Sequence, residues 1–347
     1  MRQRDFDKDT MKVTIFSAQA YEQRFFDLIN LRHFADEAYT LSYQKAGLDA
    51  VTAPLAQGSD AVCVFVNDQL DAAVLEQLAA CGVQYVLLRC AGFNNVDLTC
   101  ARRLGIAVAR VPAYSPEAIA EHAIALIMTL NRHTHRAYNR VREGNFALDG
   151  LLGRTLHGKT VGIIGTGKIG LATARILKGF GCRLLGHDPY PVCQFSALGE
   201  YVELDTLLGS SDIVSLHCPL EASTHHLINH RSLARMKPGA MLVNTSRGGL
   251  VDTAAVIGAL KSRHLGALAV DVYEQEGPLF FNDHSLQIID DEVFQRLLTF
   301  PNVLVTGHQG FFTEEALIEI VTITLDNLRC FAKGVDCPNA LLAAGSE

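Results

Sequence analysis

The sequence predicts an α/β protein of two domains, each built on a doubly wound parallel sheet. Three observations carry that expectation. From Met11 onward, short apolar or β-branched runs alternate with stretches of helical period, which is the pattern of βαβ units. A glycine turn, Gly165-Thr166-Gly167-Lys168-Ile169-Gly170, separates one such run from a helix in mid-chain. The 347 residues are enough for two domains, each with a core of its own.

Taken in order, residues 12–17 read as a strand and 19–31 as a helix; 61–66 is an apolar run of strand length. Helical stretches at 70–80 and 96–104 flank a strand at 85–88, and 106–111 is a further strand. The loop Arg89-Cys90-Ala91-Gly92-Phe93-Asn94-Asn95-Val96-Asp97 joins a strand to a helix. A glycine followed by an Asx pair can turn successive N–H groups toward a small anion, or it can be only a βα loop. Ser115 and Pro116 offer a helix cap and a first helical position, opening a long apolar helix from about 116 to 130.

The sheet of the second domain starts at the strand 160–164. Gly165 permits a tight turn, Gly167 lets backbone approach a pyrophosphate, and Gly170 allows close packing of helix on strand. The helix beginning near Ile169 has an apolar face of Ala172, Ile176, Leu177 and Phe180, and its N-terminus favours phosphate. The next strand ends in Asp188, placed to bind a ribose 2′-hydroxyl and to repel a 2′-phosphate, so NAD is expected over NADP. Strands at 213–217, 241–244, 267–270 and 303–306 complete a sheet of six, and residues 313–331 form a last helix that returns to the first domain. The expected architecture is therefore two Rossmann-like domains. Residues 11–112 with 312–347 form a discontinuous substrate domain, 113–311 an NAD-binding domain, and 1–10 a loose extension.

Composition excludes other classes. Hydrophobic residues at 49% and charged residues at 19% describe a globular chain. A formal net charge of −7 without a dense basic run argues against nucleic acid as a partner. The most basic stretch, 132–142, reads as the solvated end of the long helix. No apolar run is long enough for a bilayer, so no membrane partner is expected. Nine cysteines without C-x-x-C spacing suggest free thiols in a reducing cytoplasm and no metal site.

In open α/β sheets ligands bind beyond the carboxyl ends of the strands. Three late strand ends carry Arg247, the acids Asp271, Glu274 and Glu276, and His308. Arginine offers a planar fork for a carboxylate, and histidine can donate a proton to an oxygen that receives a hydride. A carboxylate beside the histidine stabilises its acid form. Glu276 is the best candidate for that partner, and Asp271 could orient the site or the cofactor.

These residues carry a resemblance. Arg89 to Asp97, Gly165 to Gly170, His217-Cys218-Pro219-Leu220, Asn244-Thr245-Ser246-Arg247-Gly248 and Gly307-His308 resemble the D-isomer-specific 2-hydroxyacid dehydrogenases over nearly the whole chain. The likeness is greatest to the family's fermentative, pyruvate-reducing bacterial members. It implies a bilobed enzyme with a central cleft that reduces pyruvate to D-lactate with NADH. It implies that Arg247 binds the substrate carboxylate, Glu276 pairs with His308, and His308 donates the proton. Cys90, Ala91 and Gly92 would add backbone N–H groups for the substrate. Lys168 and Ile169 would meet the pyrophosphate, and Cys218, Pro219, Thr224, Thr245, Ser246, Arg247 and Asp271 would line the cofactor groove. Gly307 stands where much of the family has proline, which removes a restraint on the loop but not the acid. A homodimer or homotetramer is implied, with the helix after Ser115 as a candidate interface. The competing readings are a glyoxylate or hydroxypyruvate reductase of the same family and an NAD(H)-sensing scaffold.

Overall fold

The computed structural model describes residues 10–37 and 39–343. The extension expected at 1–10 lies, but for Thr10, outside the described residues. The chain divides into two compact units, one of residues up to Ser115 with those from Thr313 onward, the other Pro116–Phe312.

The first unit opens with β1 (Lys12–Ile15), α1 (Ala20–His33), β2 (Thr40–Tyr43) and β3 (Ala61–Val64). It continues through α2 (Ala72–Ala80), β4 (Tyr85–Leu88), α3 (Leu98–Leu104) and β5 (Ala107–Arg110). Asp71 and Asp97 cap α2 and α3 by accepting from Val74 N and Cys100 N, so both helices begin about two residues later than periodicity suggests. Alternation along the strands divides the core between two faces. Val62, Val64, Val86 and Leu88 meet α2 and α3, while Ala61, Cys63 and Leu87 meet the other side.

The second unit begins with α4 (Pro116–Arg132) and α5 (Thr134–Arg142). These are not one helix with a basic end, as the sequence suggests. His133 takes a φ of 50°, which breaks the helix, and α5 buries none of its residues. Nor is Ser115 the expected cap. Its φ of 21° is outside the extended region that a cap uses, and its amide donates to Glu319 Oε2 at 2.9 Å. The unit then runs β6 (Thr160–Ile164), α6 (Lys168–Gly179), β7 (Arg183–His187), α7 (Cys193–Ser196), β8 (Glu200–Tyr201) and α8 (Leu204–Ser210). It is completed by β9 (Ile213–Leu216), α9 (His230–Arg235), β10 (Ala240–Asn244), α10 (Thr253–Lys261), β11 (Leu265–Val270), α11 (Glu292–Leu298) and β12 (Val303–Val305).

Its sheet has seven parallel strands in the order β12-β11-β10-β9-β6-β7-β8, one more than the six expected. The extra strand, β8, is two residues long at the sheet edge, too short for an apolar pattern to register. Sequence order reverses between β6 and β9, which makes that junction the switch point of the sheet. The buried face of α4 (Ala123, Ile124, Leu126, Ile127, Leu130) packs with Ala174 and Leu177 of α6 against β6 and β7. That face is spent inside the unit.

The chain then returns to the first unit with α12 (Glu314–Lys333) and β13 (Ala340–Leu342). Thr313 caps α12 and Gly334, at φ 63°, ends it. Val321, Leu325, Leu328 and Phe331 of α12 join Phe26 and Ile29 of α1 over the first sheet. That sheet has the order β13-β5-β4-β3-β1-β2, parallel except for β13 against β5. The edge strands β2, in which exposed Thr40 and Ser42 interrupt any apolar run, and β13, only three residues long, are likewise absent from the sequence expectation.

Candidate active site

The cofactor turn sits at the switch point, and its glycines divide the work as their spacing suggests. Gly165 has a φ of 91°, and a Cβ on it would come within 2.5 Å of the Cys218 amide nitrogen at the end of β9. A side chain there would wedge β6 and β9 apart. A Cβ on Gly170 would lie 2.0 Å from the Gly165 carbonyl oxygen, so α6 can start where it does only with glycine. Gly167, the residue before α6, faces open space at the same test, and Lys168 and Ile169 form the first turn.

Asp188, just beyond β7, is held close to that turn. Its Oδ2 accepts from Thr166 N at 2.6 Å and Thr166 Oγ1 at 3.1 Å, and its Oδ1 accepts from Tyr190 N at 2.8 Å. Three hydrogen bonds at two strand ends, those of β9 and β10, order the segments beside it. Ser246 Oγ donates to the Cys218 carbonyl at 2.7 Å, tying the end of β10 to the end of β9. Thr224 Oγ1 donates to the Pro219 carbonyl at 2.7 Å and accepts from Glu221 N at 2.8 Å. Burial pushes the Cys218 thiol up to about 11, so it is a packing group and not a nucleophile. Thr245 Oγ1 is buried without a hydrogen-bond partner among the described residues. An orphaned hydroxyl at a strand end, an accessible helix N-terminus and a positioned carboxylate together fit a dinucleotide.

The pair of His308 and Glu276 is built from two strand ends. His308 Nδ1 lies 2.8 Å from Glu276 Oε1, with the two side chains 19% and 18% exposed. Glu276 is fixed in turn by Tyr273 N, which donates to Oε2 at 3.1 Å. His308 takes a φ of 52°, uncommon for a residue with a side chain. What holds it there is Asp271. The Asp271 carbonyl accepts the His308 amide at 2.7 Å, and its carboxylate accepts Gln309 N at 2.9 Å and Gly310 N at 2.8 Å. The restraint lost with glycine at 307 is thus supplied by hydrogen bonds.

Asp271 has further partners that sequence reasoning missed. His122 Nε2 of α4 lies 3.2 Å from Asp271 Oδ1 and 3.1 Å from Thr306 Oγ1, and Thr306 Oγ1 also donates to Oδ1. Burial works to raise the Asp271 carboxyl, but His122, Thr306 and the amide donors hold it below the usual carboxylate range. The signal for His122 was present: it interrupts the apolar run of α4, and such a residue needs a partner inside.

Arg247 follows β10. Among the described residues, its guanidinium donates to the Ser246 carbonyl at 2.8 Å and to neither Glu276 nor His308. Its loop nevertheless abuts theirs. A Cβ on the next residue, Gly248, would lie 2.1 Å from the Tyr273 carbonyl carbon, so glycine alone lets the Arg247 turn pack against the turn that carries Glu276.

In the first unit, Cys90, Ala91 and Gly92 follow β4. The Cys90 carbonyl accepts Val111 N at 3.2 Å, and the Ala91 carbonyl accepts Arg110 Nη1 at 2.8 Å. Arg89, just before them, is buried against Glu22, its Nε 2.7 Å from Oε1. That pair was not foreseen either, because its residues are 67 apart in sequence.

A dinucleotide turn at the switch point and a histidine gripped by a carboxylate on later strand ends define a nicotinamide-dependent dehydrogenase. Comparison with known proteins narrows the class. The family described as D-isomer specific 2-hydroxyacid dehydrogenase, NAD binding domain, matches residues 124–310. The 2-hydroxyacid dehydrogenase A of Aspergillus oryzae is 61% identical over 96% of both chains. D-lactate dehydrogenase kk1H of Curvularia clavata is 60% identical over 96% of this chain and 95% of its own. The apo-structure of D-lactate dehydrogenase from Escherichia coli superimposes with a TM-score of 0.88 at 50% identity, covering 96% of this chain and all of that one. The chain belongs to the D-isomer-specific 2-hydroxyacid dehydrogenase family and carries its NAD-binding domain.

Proposed function

We propose that the protein is an NAD-dependent D-lactate dehydrogenase that reduces pyruvate to D-lactate. The observation that carries this reading is the 2.8 Å contact of His308 with Glu276, a proton donor held by a carboxylate at the strand ends of the NAD-binding domain. The names of the Curvularia and Escherichia relatives support pyruvate as the 2-oxoacid.

When bound, NADH supplies the hydride. Gly165, Gly167 and Gly170 admit the pyrophosphate to the N-terminus of α6, with Lys168 and Ile169 beside it. Asp188 binds the adenosine ribose, and Cys218, Pro219, Thr224, Thr245 and Ser246 line the groove. Arg247 binds the substrate carboxylate through its planar fork and polarises the adjacent carbonyl. The amides of Cys90, Ala91 and Gly92 add hydrogen bonds to the same substrate. His308 gives the proton from its Nε2 to the carbonyl oxygen as that oxygen gains charge, and Glu276 stabilises the imidazolium before transfer. Asp271 orients the histidine loop. The balance is one hydride and one proton added to each pyruvate.

The same reading takes the protein to be cytoplasmic and homo-oligomeric. Nine free cysteines support a reducing compartment. Phe146, Leu148 and Leu152, exposed at 73%, 82% and 92% beyond α5, support association through that segment. Light scattering on the purified chain reads the mass directly.

The test is a profile of kcat/KM with NADH over pyruvate, 2-oxobutyrate, phenylpyruvate and hydroxypyruvate, with chiral analysis of the product. Pyruvate should lead and yield the D-isomer. A strong preference for hydroxypyruvate would replace the reading with a hydroxypyruvate reductase, and the absence of any turnover would favour a sensing scaffold.

A further inference from the structure

Outside the dehydrogenase site, His225, His226 and Glu274 converge on one point of the second unit. His226 Nε2 lies 2.9 Å from Glu274 Oε1, and His225 Nε2 lies 3.4 Å from the same oxygen. All three donor atoms fall within 4.8 Å of one another. We propose that these side chains form a binding site for a divalent transition metal of the zinc class.

The donor set selects that class. Two imidazole nitrogens and one carboxylate oxygen suit zinc, nickel or copper, whereas magnesium and calcium prefer oxygen ligands throughout. The spacing agrees, since neighbouring ligands on a tetrahedral zinc stand about 3.3 Å apart. Three protein ligands leave a position for water, and the site is open enough to supply it, with side chains 53%, 34% and 34% exposed.

The arrangement is also an unusual use of two histidines. Their rings stack at 4.0 Å between centroids, and both nitrogens address a single carboxylate oxygen. One dication could take both nitrogens and that oxygen as ligands at once. The backbone fixes the pair beforehand. His226 N donates to the Gly249 carbonyl at 2.8 Å, and Asn229 Nδ2 donates to the His226 carbonyl at 2.8 Å. Glu274 is fixed by the close packing of Gly248 on Tyr273 and Glu274. A bound metal would therefore join the segment after β9 to the turn after β11 with little rearrangement.

The full-length protein, freed of metal by chelation, is titrated with Co²⁺ by visible absorption and with Zn²⁺ by calorimetry. One equivalent per chain is expected, with ligand-field bands of a low-coordinate cobalt. H225Q and E274Q should weaken binding at least tenfold. H308Q should leave it unchanged, which separates this site from the His308–Glu276 pair, and C193S excludes the exposed thiol. Each variant is melted without metal to show that it is folded. The absence of saturable binding to the parent protein, or binding that survives H225Q and E274Q in folded variants, would overturn the site. Neither readout depends on turnover.

Discussion

The Nδ1 atom of His308 stands 2.8 Å from Oε1 of Glu276. One ring nitrogen is thereby committed to a carboxylate, leaving proton delivery to the other. Replacing His308 with Gln should lower kcat by about 10²–10⁴-fold while NADH binding survives. Glu276→Gln should lower kcat less, because the histidine remains. Stopped-flow fluorescence for NADH and steady-state rates for pyruvate separate the two effects. A kcat near that of the parent in H308Q would assign the proton to another group.

Arg247→Lys keeps the charge but loses the planar fork. KM for pyruvate should rise by about 10- to 100-fold, the loss of one charge-assisted hydrogen bond. An unchanged KM would remove Arg247 from carboxylate binding.

Gly248→Ala tests the packing of two turns without touching a charged group. The added methyl would meet the Tyr273 carbonyl carbon at 2.1 Å, so the Arg247 turn must move away from the Glu276 turn. Both kcat and KM should worsen, each by at least tenfold. Parent kinetics in G248A would mean that the two turns act independently.

Asp188→Ser removes the carboxylate that Thr166 holds through its amide and hydroxyl. The NADPH-to-NADH ratio of kcat/KM should rise by about tenfold or more, as repulsion of a 2′-phosphate is relieved. An unaltered ratio would place cofactor choice elsewhere.

Stability should depend on His217. Burial pushes its imidazole from 6.5 down to about 4, and its Nδ1 is buried without a hydrogen-bond partner among the described residues. The folded state therefore resists protonation more than the unfolded chain. This contribution is full above about pH 6.5 and is lost as pH falls toward 4. Part of the residue reaches the surface, so the loss is about 2 kcal/mol. Urea midpoints at pH 7 and pH 4.5 should differ less in H217Q than in the parent protein. An equal difference in both would acquit His217.

Much of the architecture could be read from the chain because parallel strands buried on both faces are continuous apolar runs. The stretches 61–66, 85–88 and 160–164 show this in both sheets. Edge strands carry little such signal, and β2, β8 and β13 escaped notice. The break at His133 escaped because periodicity cannot see a single left-handed residue.

The candidate site divides along similar lines. Strand ends pointed to Arg247, Glu276 and His308, since the rule about carboxyl ends needs only strand positions. Partners from distant segments were hidden. His122 sits 149 residues from the Asp271 that it contacts, and Glu22 sits 67 from Arg89. No local pattern links such pairs, and only the fold brings them together.

The last strand of the first sheet has a bearing on synthesis. β13 pairs with β5 across an interval of more than two hundred residues, and α12 covers one face of the same sheet. On the ribosome, that sheet must wait with an open edge and a bare face until α12 and β13 have been translated. The inserted unit, Pro116–Phe312, is contiguous and can complete its core first. The half that begins first therefore finishes last, and its unprotected edge is where a chaperone would be needed.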